Sequence, residues 1–196
     1  MINTAMSQSL KVYDYAFQKE EKINVYSNVD KKPIFITNGP DPDLSPDGKK
    51  LAYTSHDTKG NRTVVVIDLS SKKKTTLNLN SQNCYGPVWS PDGNYIAYNI
   101  YENGQWKIGM IDKSNTTALI ITKNIDNAYA PYWCNDSKKM VVQDMTNVYI
   151  VNLNGDIEKK YNIEAISKEH SISSASAFAL DKSEQYIIFN ATVDES

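Results

Sequence analysis

The chain has 196 residues, of which 40% are hydrophobic, and a formal net charge of −2. That is enough apolar material for a substantial core, but the charge steers nothing toward nucleic acid or an anionic surface. No stretch reaches the roughly 18 consecutive apolar residues of a membrane-spanning helix. Arg62 is the only arginine among 21 basic residues, so the forked donor that reads phosphates and base edges is nearly missing and no nucleic-acid partner is expected.

The N-terminal stretch MINTAMSQSLK has neither the basic start nor the apolar core of a secretory leader. Next come LKVYDYAF, KINVYSNV and PIFIT, three strand-like runs that match the second to fourth strands of the units further on; the first strand of that unit would fall near INTAMS. From Pro40 the pattern is complete: PDLS, KKLAYTSH, RTVVVIDL and TTLNLN, with a turn from Asp57 to Asn61 around Gly60. Tyr85 to Thr122 reads as four more strands. A third full set, YAPYWC, KKMVVQDM, NVYIVNLN and KKYNIE, turns at Thr146-Asn147 and at Asn154-Gly155. Residues 164–173 have room for a helical turn or a longer loop. SASAFAL and QYIIFNAT then match the first two strands of another unit, and Asp194-Glu195-Ser196 falls in mid-unit.

The punctuation recurs. Ser45-Pro46-Asp47-Gly48 and Ser90-Pro91-Asp92-Gly93 are turns in which Pro presets φ, Asp bonds back to the local backbone and Gly accepts a positive φ. Worn copies begin at Cys134 and Leu180, so the interval is 45, 44 and 46 residues. Four strands at that period are the signature of β-propeller blades. The expected fold is therefore all-β: four-stranded antiparallel blades in an incomplete arc of about four to five, with repeats near 9–39, 40–82, 83–126, 127–167 and a partial 173–196, in one domain over 1–196.

Pro87 to Tyr98, PVWSPDGNYIAY, resembles the core of the TolB-like propeller repeat, P-x-W-S-P-D-G-x-x-I-A-Y. The resemblance implies a larger, six-bladed ring, of which this chain would be a piece or an arc completed by a partner such as a second copy. It also implies a non-catalytic periplasmic or extracellular module whose channel mouth binds another protein or peptide. An alternative is a fragment of the propeller that gates a prolyl-oligopeptidase-type serine peptidase, with its hydrolase domain elsewhere. No G-x-S-x-G elbow is present. His56 and His170 are read in a turn and a loop without metal-ligand spacing, and no cofactor or metal is expected.

The loops before each first strand border the channel of any propeller. Aligned on Pro42, Pro87 and Pro131, they place Asp41 and Asp43 around one proline and Tyr85 and Tyr129 at a shared position two residues before the others. Carboxylates and tyrosines at a mouth suit a peptide or, with backbone carbonyls, a hard cation such as calcium. Asp, Asn and Pro are also plain turn formers, and that reading stands beside the first. Trp89, Trp133 and Leu44 share one repeat position and Tyr53, Tyr98 and Val142 another, as blade-to-blade packing requires. Cys84 is read just before the first strand of its unit and Cys134 six residues later on the equivalent strand of the next, an offset of roughly 20 Å against a disulfide limit near 7 Å, so both are read as free thiols.

Overall fold

A computed structural model describes residues 12–193 except 167, 169 and 182. Its strands follow the repeat. The first sheet holds β1 (Tyr15–Lys19), β2 (Lys22–Tyr26) and β3 (Pro33–Asn38) in that order. Three meanders of four strands come next. The first comprises β4 (Asp43–Leu44), β5 (Lys50–His56), β6 (Arg62–Asp68) and β7 (Lys74–Thr76); the second β8 (Cys84–Trp89), β9 (Tyr95–Glu102), β10 (Gln105–Asp112) and β11 (Ala118–Ile120). The third comprises β12 (Tyr129–Trp133), β13 (Lys139–Gln143), β14 (Asn147–Asn152) and β15 (Ile157–Asn162). One helical turn, α1 (Ile163–Ile166), precedes β16 (His170–Ser171), β17 (Phe178–Leu180), β18 (Ile187–Phe189) and β19 (Thr192–Val193). Here β17 pairs with β18 and β16 with β19.

Several local expectations shift. β1 begins at Tyr15, and before it the Tyr13 N–H donates to the Gly48 carbonyl of the next blade while the Asp14 N–H donates to the Tyr26 carbonyl of β2. The expected first strand near INTAMS and the terminal Asp194-Glu195-Ser196 lie outside the described residues. Cys84 opens β8 rather than preceding it, and His56 and His170 lie in strands rather than in a turn and a loop. The tight turn of the third meander is Asp144 to Asn147, closed by the Asp144 N–H on the Asn147 carbonyl, with Met145 left-handed at φ 70°; Asn147 already belongs to β14. Both cysteines are free and buried.

There is no single core. Apolar side chains cluster at four seams, each between consecutive sheets, so the described residues form an open arc of blades and not a closed ring. Ile23 and Val25 meet Leu51, Tyr53 and Ile67 at the first seam. Ala52 and Val64 meet Trp89, Ile96 and Tyr98 at the second, Ile108 and Met110 meet Trp133 and Val142 at the third, and Val141 and Val148 meet Ile172 and Phe178 at the fourth. This is why the second and third strands of each blade are apolar on both faces: each is sandwiched. Fully burying one such Val or Ile is worth about 1.5–3 kcal/mol. The fourth strands face solvent instead, and β15, exposed along its length, carries Lys159 and Lys160 on a sheet edge, where charge discourages pairing with another chain.

Polar contacts recur across the seams. Trp133 Nε1 donates to the Val88 carbonyl at 3.0 Å and the Trp89 amide donates to Asp43 Oδ2 at 2.6 Å. The worn turn explains itself here. Ser137 stands where Gly48 and Gly93 stand and still adopts φ 58°, but its hydroxyl accepts the Asp92 N–H of the preceding blade at 3.0 Å. The left-handed backbone that glycine tolerates better is offset by an inter-blade hydrogen bond.

Candidate functional site

The loops that enter each blade are shaped by three left-handed residues at one repeat position: Asp41 (φ 56°), Gly86 (φ 62°) and Ala130 (φ 52°), each just before a proline. Proline has no N–H to give to the ladder. The strand pairing accordingly skips between Tyr85 and Val88 and between Tyr129 and Tyr132. Such bulges re-aim the side chains beside them. Ahead of Asp41, Gly39 (φ 146°) lies so close to Tyr53 and the Thr54 carbonyl that a Cβ would sit 2.7 and 2.8 Å from them.

The first two of these loops are riveted to their successors by a buried polar residue on the second strand, and the third residue of the series ties its own blade's tight turn to Ser173. Thr54 donates its hydroxyl to Asp41 Oδ2 at 2.8 Å and accepts the Gly86 N–H at 3.0 Å. Asn99, one repeat on, donates to the Tyr85 carbonyl and accepts the Ala130 N–H, both at 3.3 Å. Gln143 donates to the Ser173 carbonyl at 2.7 Å and accepts the Met145 N–H at 2.5 Å. All three are buried. They were missed in the sequence because each sits in an apolar strand. The available signal was a polar residue at the same register in three successive repeats.

At this end of the strands the loops meet a belt of rings. The Arg62 guanidinium lies 4.1 Å from the centre of the Tyr85 ring and 5.3 Å from that of Trp106, while Arg62 Nε donates to Asn83 Oδ1 at 2.7 Å. Trp106 stands edge-on to Tyr85 (5.3 Å, 88°) and tilted against Tyr101 (5.0 Å) and Tyr129 (6.5 Å). Tyr101 is 42% exposed. Burial pushes the Tyr85 hydroxyl above its ordinary pKa; Arg62 opposes the shift, and Tyr129 and Asp41 add to it. Asp41, Tyr85 and Tyr129 therefore share one electrostatic neighbourhood with Arg62. A hollow of ≈ 540 Å³ beside Gln18, Glu21 and His56 opens at the same end.

Asp43 is placed differently from the other three. Its Oδ2 is committed to the Trp89 amide across the seam, and burial raises its pKa to about 6 in spite of the amide bonds from Trp89 and Leu44. The folded protein thus holds this proton more tightly than the unfolded chain, whose value is near 3.8. Asp43's stabilisation is complete below about pH 4 and is lost as pH rises through about 6. Asp68, Asp112 and Asp181 are lowered to about 2 by bonds within their own turns, and their contribution disappears only below pH 4. Urea unfolding should therefore become harder, not easier, as pH falls from 7.5 to 5. Asp43→Asn, which keeps an acceptor for Trp89, should flatten that slope; an unchanged slope would refute the assignment to Asp43.

Arg62, noted in the sequence only as the sole arginine, and Trp106 were not read there as site residues. They open the third strands of adjacent blades, and only the packing of blade on blade brings them together. Among the described residues no three His, Cys, Asp or Glu side chains gather into a metal-ligand group, and no helix is long and apolar enough to cross a membrane. The belt offers flat apolar faces, one stacked cation and a carboxylate, a surface suited to binding.

Stacked four-stranded meanders in an open arc define the class: this is a β-propeller protein with a loop-built surface at one end of its strands. More particularly, the chain belongs to the TolB beta propeller domain family, whose pattern matches residues 3–177. It is similar to the Tol-Pal system protein TolB of Alcanivorax borkumensis, 32% identical over 63 residues, which is 32% of this chain and 14% of that protein. Among solved structures, TolB from Acinetobacter baumannii superposes with a TM-score of 0.63 at 21% identity, over 93% of this chain and 47% of that one. A puromycin-hydrolysing peptidase of Mycobacterium tuberculosis gives 0.57 at 17% identity, over 88% and 31%. The chain thus spans less than half the length of each of these proteins, and the two structural likenesses are likenesses of fold.

Proposed function

We propose that this chain is a non-catalytic, protein-binding propeller module that receives a segment of another protein across the aromatic belt, with Asp41, Tyr85 and Tyr129 lining the mouth and Asp43 bracing it. The observation that carries the reading is Arg62. Its planar face is covered by Tyr85 and Trp106 and its Nε is fixed by Asn83, yet its terminal N–H groups have no partner among the described residues. A pre-oriented arginine flanked by aromatic rings is the composition of binding hot spots. The family membership and the similarity to a Tol-Pal system protein support a periplasmic or extracellular setting, and a second copy is a further candidate partner.

The test is capture of envelope proteins by the immobilised chain, identified by mass spectrometry. Joint replacement of Asp41, Tyr85, Tyr129 and Trp106 by alanine should abolish recovery of any specific partner. Capture undiminished by variants that remain folded would refute the reading. The likeness to a peptidase favours one other reading, a propeller that gates a hydrolase domain; a gene that continues into a G-x-S-x-G elbow would decide for it.

A further inference from the structure

The sole arginine of the chain makes no ion pair among the described residues; the ion pairs there belong to Lys49, Lys107 and Lys139. It is nonetheless held from three directions. The Arg62 N–H donates to the Gln82 carbonyl at 3.0 Å, its Nε donates to Asn83 Oδ1 at 2.7 Å, and its guanidinium lies on the Tyr85 ring. Asn83 is itself fixed, its N–H bonded to Ser81 Oγ at 3.1 Å. With Nε committed, the remaining donors are those of the two terminal nitrogens, a planar fork whose spacing matches the two oxygens of a carboxylate. Ordering so long a side chain in advance removes an entropic cost that a free arginine would meet on binding.

The chain does not fill this fork with an acid of its own. Asp41 shares the neighbourhood of Tyr85, but its Oδ2 accepts the Thr54 hydroxyl. Its charge still acts there, so a run of acidic residues would be repelled, whereas a single carboxylate set against the fork gains charge-assisted hydrogen bonds beside rings that keep water off. The surroundings decide which carboxylate. Trp106 lies to one side with Tyr101 and Tyr129 against it. To the other, His56 is the cross-strand neighbour of Arg62 and lines the hollow of ≈ 540 Å³ that it shares with Gln18, Gly39 and Pro40. A segment laid from the rings to the hollow passes the guanidinium in mid-course, where it has side chains to offer and no chain end.

We propose that the belt reads a single Asp or Glu side chain flanked by apolar residues in the partner's segment, its carboxylate taken by the two terminal nitrogens of Arg62 and its apolar neighbour by Trp106 and Tyr101. This rests on the reading of the belt as a protein-binding surface and names what that surface recognises.

A random-peptide library displayed on phage, each peptide joined to the coat protein through its C-terminus, is panned against the immobilised chain and against its Trp106→Ala and Arg62→Gln variants. The native chain should enrich peptides with one Asp or Glu beside a Phe, Tyr, Trp or Leu. Trp106→Ala should enrich no family, and Arg62→Gln none with an acidic preference. The leading peptide is then synthesised acetylated and amidated. Replacing its acid by the corresponding amide should weaken binding to the native chain at least about tenfold. Only the acidic form should move the Arg62 Nε–H resonance, which a chain with one arginine shows without further assignment in a ¹⁵N-labelled sample. That comparison needs no variant, so it holds even if replacing Arg62 unfolds the protein. Binding regained by the amide form when its own C-terminus is left free would transfer the recognition to a chain end and overturn the side-chain assignment. An enriched family without an acid, or an amide form that binds equally well, would overturn the proposal and leave the protein-binding reading standing. No enrichment above the Trp106→Ala background would overturn both.

Discussion

Gly109→Ala is expected to lower the free energy of unfolding by about 2–3 kcal/mol, the upper part of the range for overpacking a filled core. Gly109 in β10 stands directly opposite Tyr98 in β9. The tyrosine ring lies over the glycine backbone so closely that an added Cβ would be 2.5 Å from two ring carbons and 2.8 Å from the hydroxyl. The ring has nowhere to go, because Tyr98 is 1% exposed and packs with Ala52, Val64 and Cys84 at the seam. Burial also drives its hydroxyl pKa far above the ordinary value. An aromatic side chain laid across a facing glycine is a recognised device for pinning strand register. Urea unfolding followed by tryptophan fluorescence measures the loss. Tyr98→Leu should cost stability alone but restore part of what Gly109→Ala removes, giving a non-additive double variant. A loss below about 0.5 kcal/mol for Gly109→Ala would mean that the seam yields and that the steric reading is wrong.

Asn99→Leu should be the most damaging substitution near the candidate site. It matches the side chain in size but leaves the Tyr85 carbonyl and the Ala130 N–H without the partners they have in the native seam. Each orphaned buried group costs about 1–3 kcal/mol, so a loss of about 2–4 kcal/mol is expected. The consequence extends to the belt. Tyr85 and Tyr129 are positioned by the two loops that Asn99 joins, and both rings lie against Trp106. Asn99→Leu should therefore shift Trp106 fluorescence in the folded state under conditions where Trp89→Phe and Trp133→Phe have removed the other indoles. Unaltered Trp106 emission together with near-native stability would show that the loops hold their shape without the rivet.

The blades were legible in the sequence because their signals are local. Ser-Pro-Asp-Gly at Ser45 and Ser90 acts through its own backbone: Ser90 Oγ donates to Asp92 Oδ1 and accepts the Tyr95 N–H, and Ser45 repeats this with Asp47 and Lys50. Asp68 and Asp112 likewise close their own turns through Ser70, Ser71, Ser114 and Thr116. The site was half legible. Tyr85 and Tyr129 betray themselves by sharing a repeat position; Arg62 and Trp106 share one too, opposite His56 and Tyr101, but their side chains are unlike and nothing within either segment hints that the two meet.

Local chemistry therefore dictated the period, the turns, the strand order inside each blade and the doubly apolar character of the central strands, since every one of these is settled within a few residues or by cross-strand pairing through a short turn. The seams were decided only by the tertiary structure. Which polar residue bridges two loops, why Ser137 tolerates a left-handed backbone, why Trp89 lacks the partner that Trp133 has, and how Arg62 comes to lie on Tyr85 all depend on contacts between residues some 20 to 45 positions apart. Such contacts exist only once one rigid sheet has stacked on the next, and no pattern confined to a single repeat encodes them.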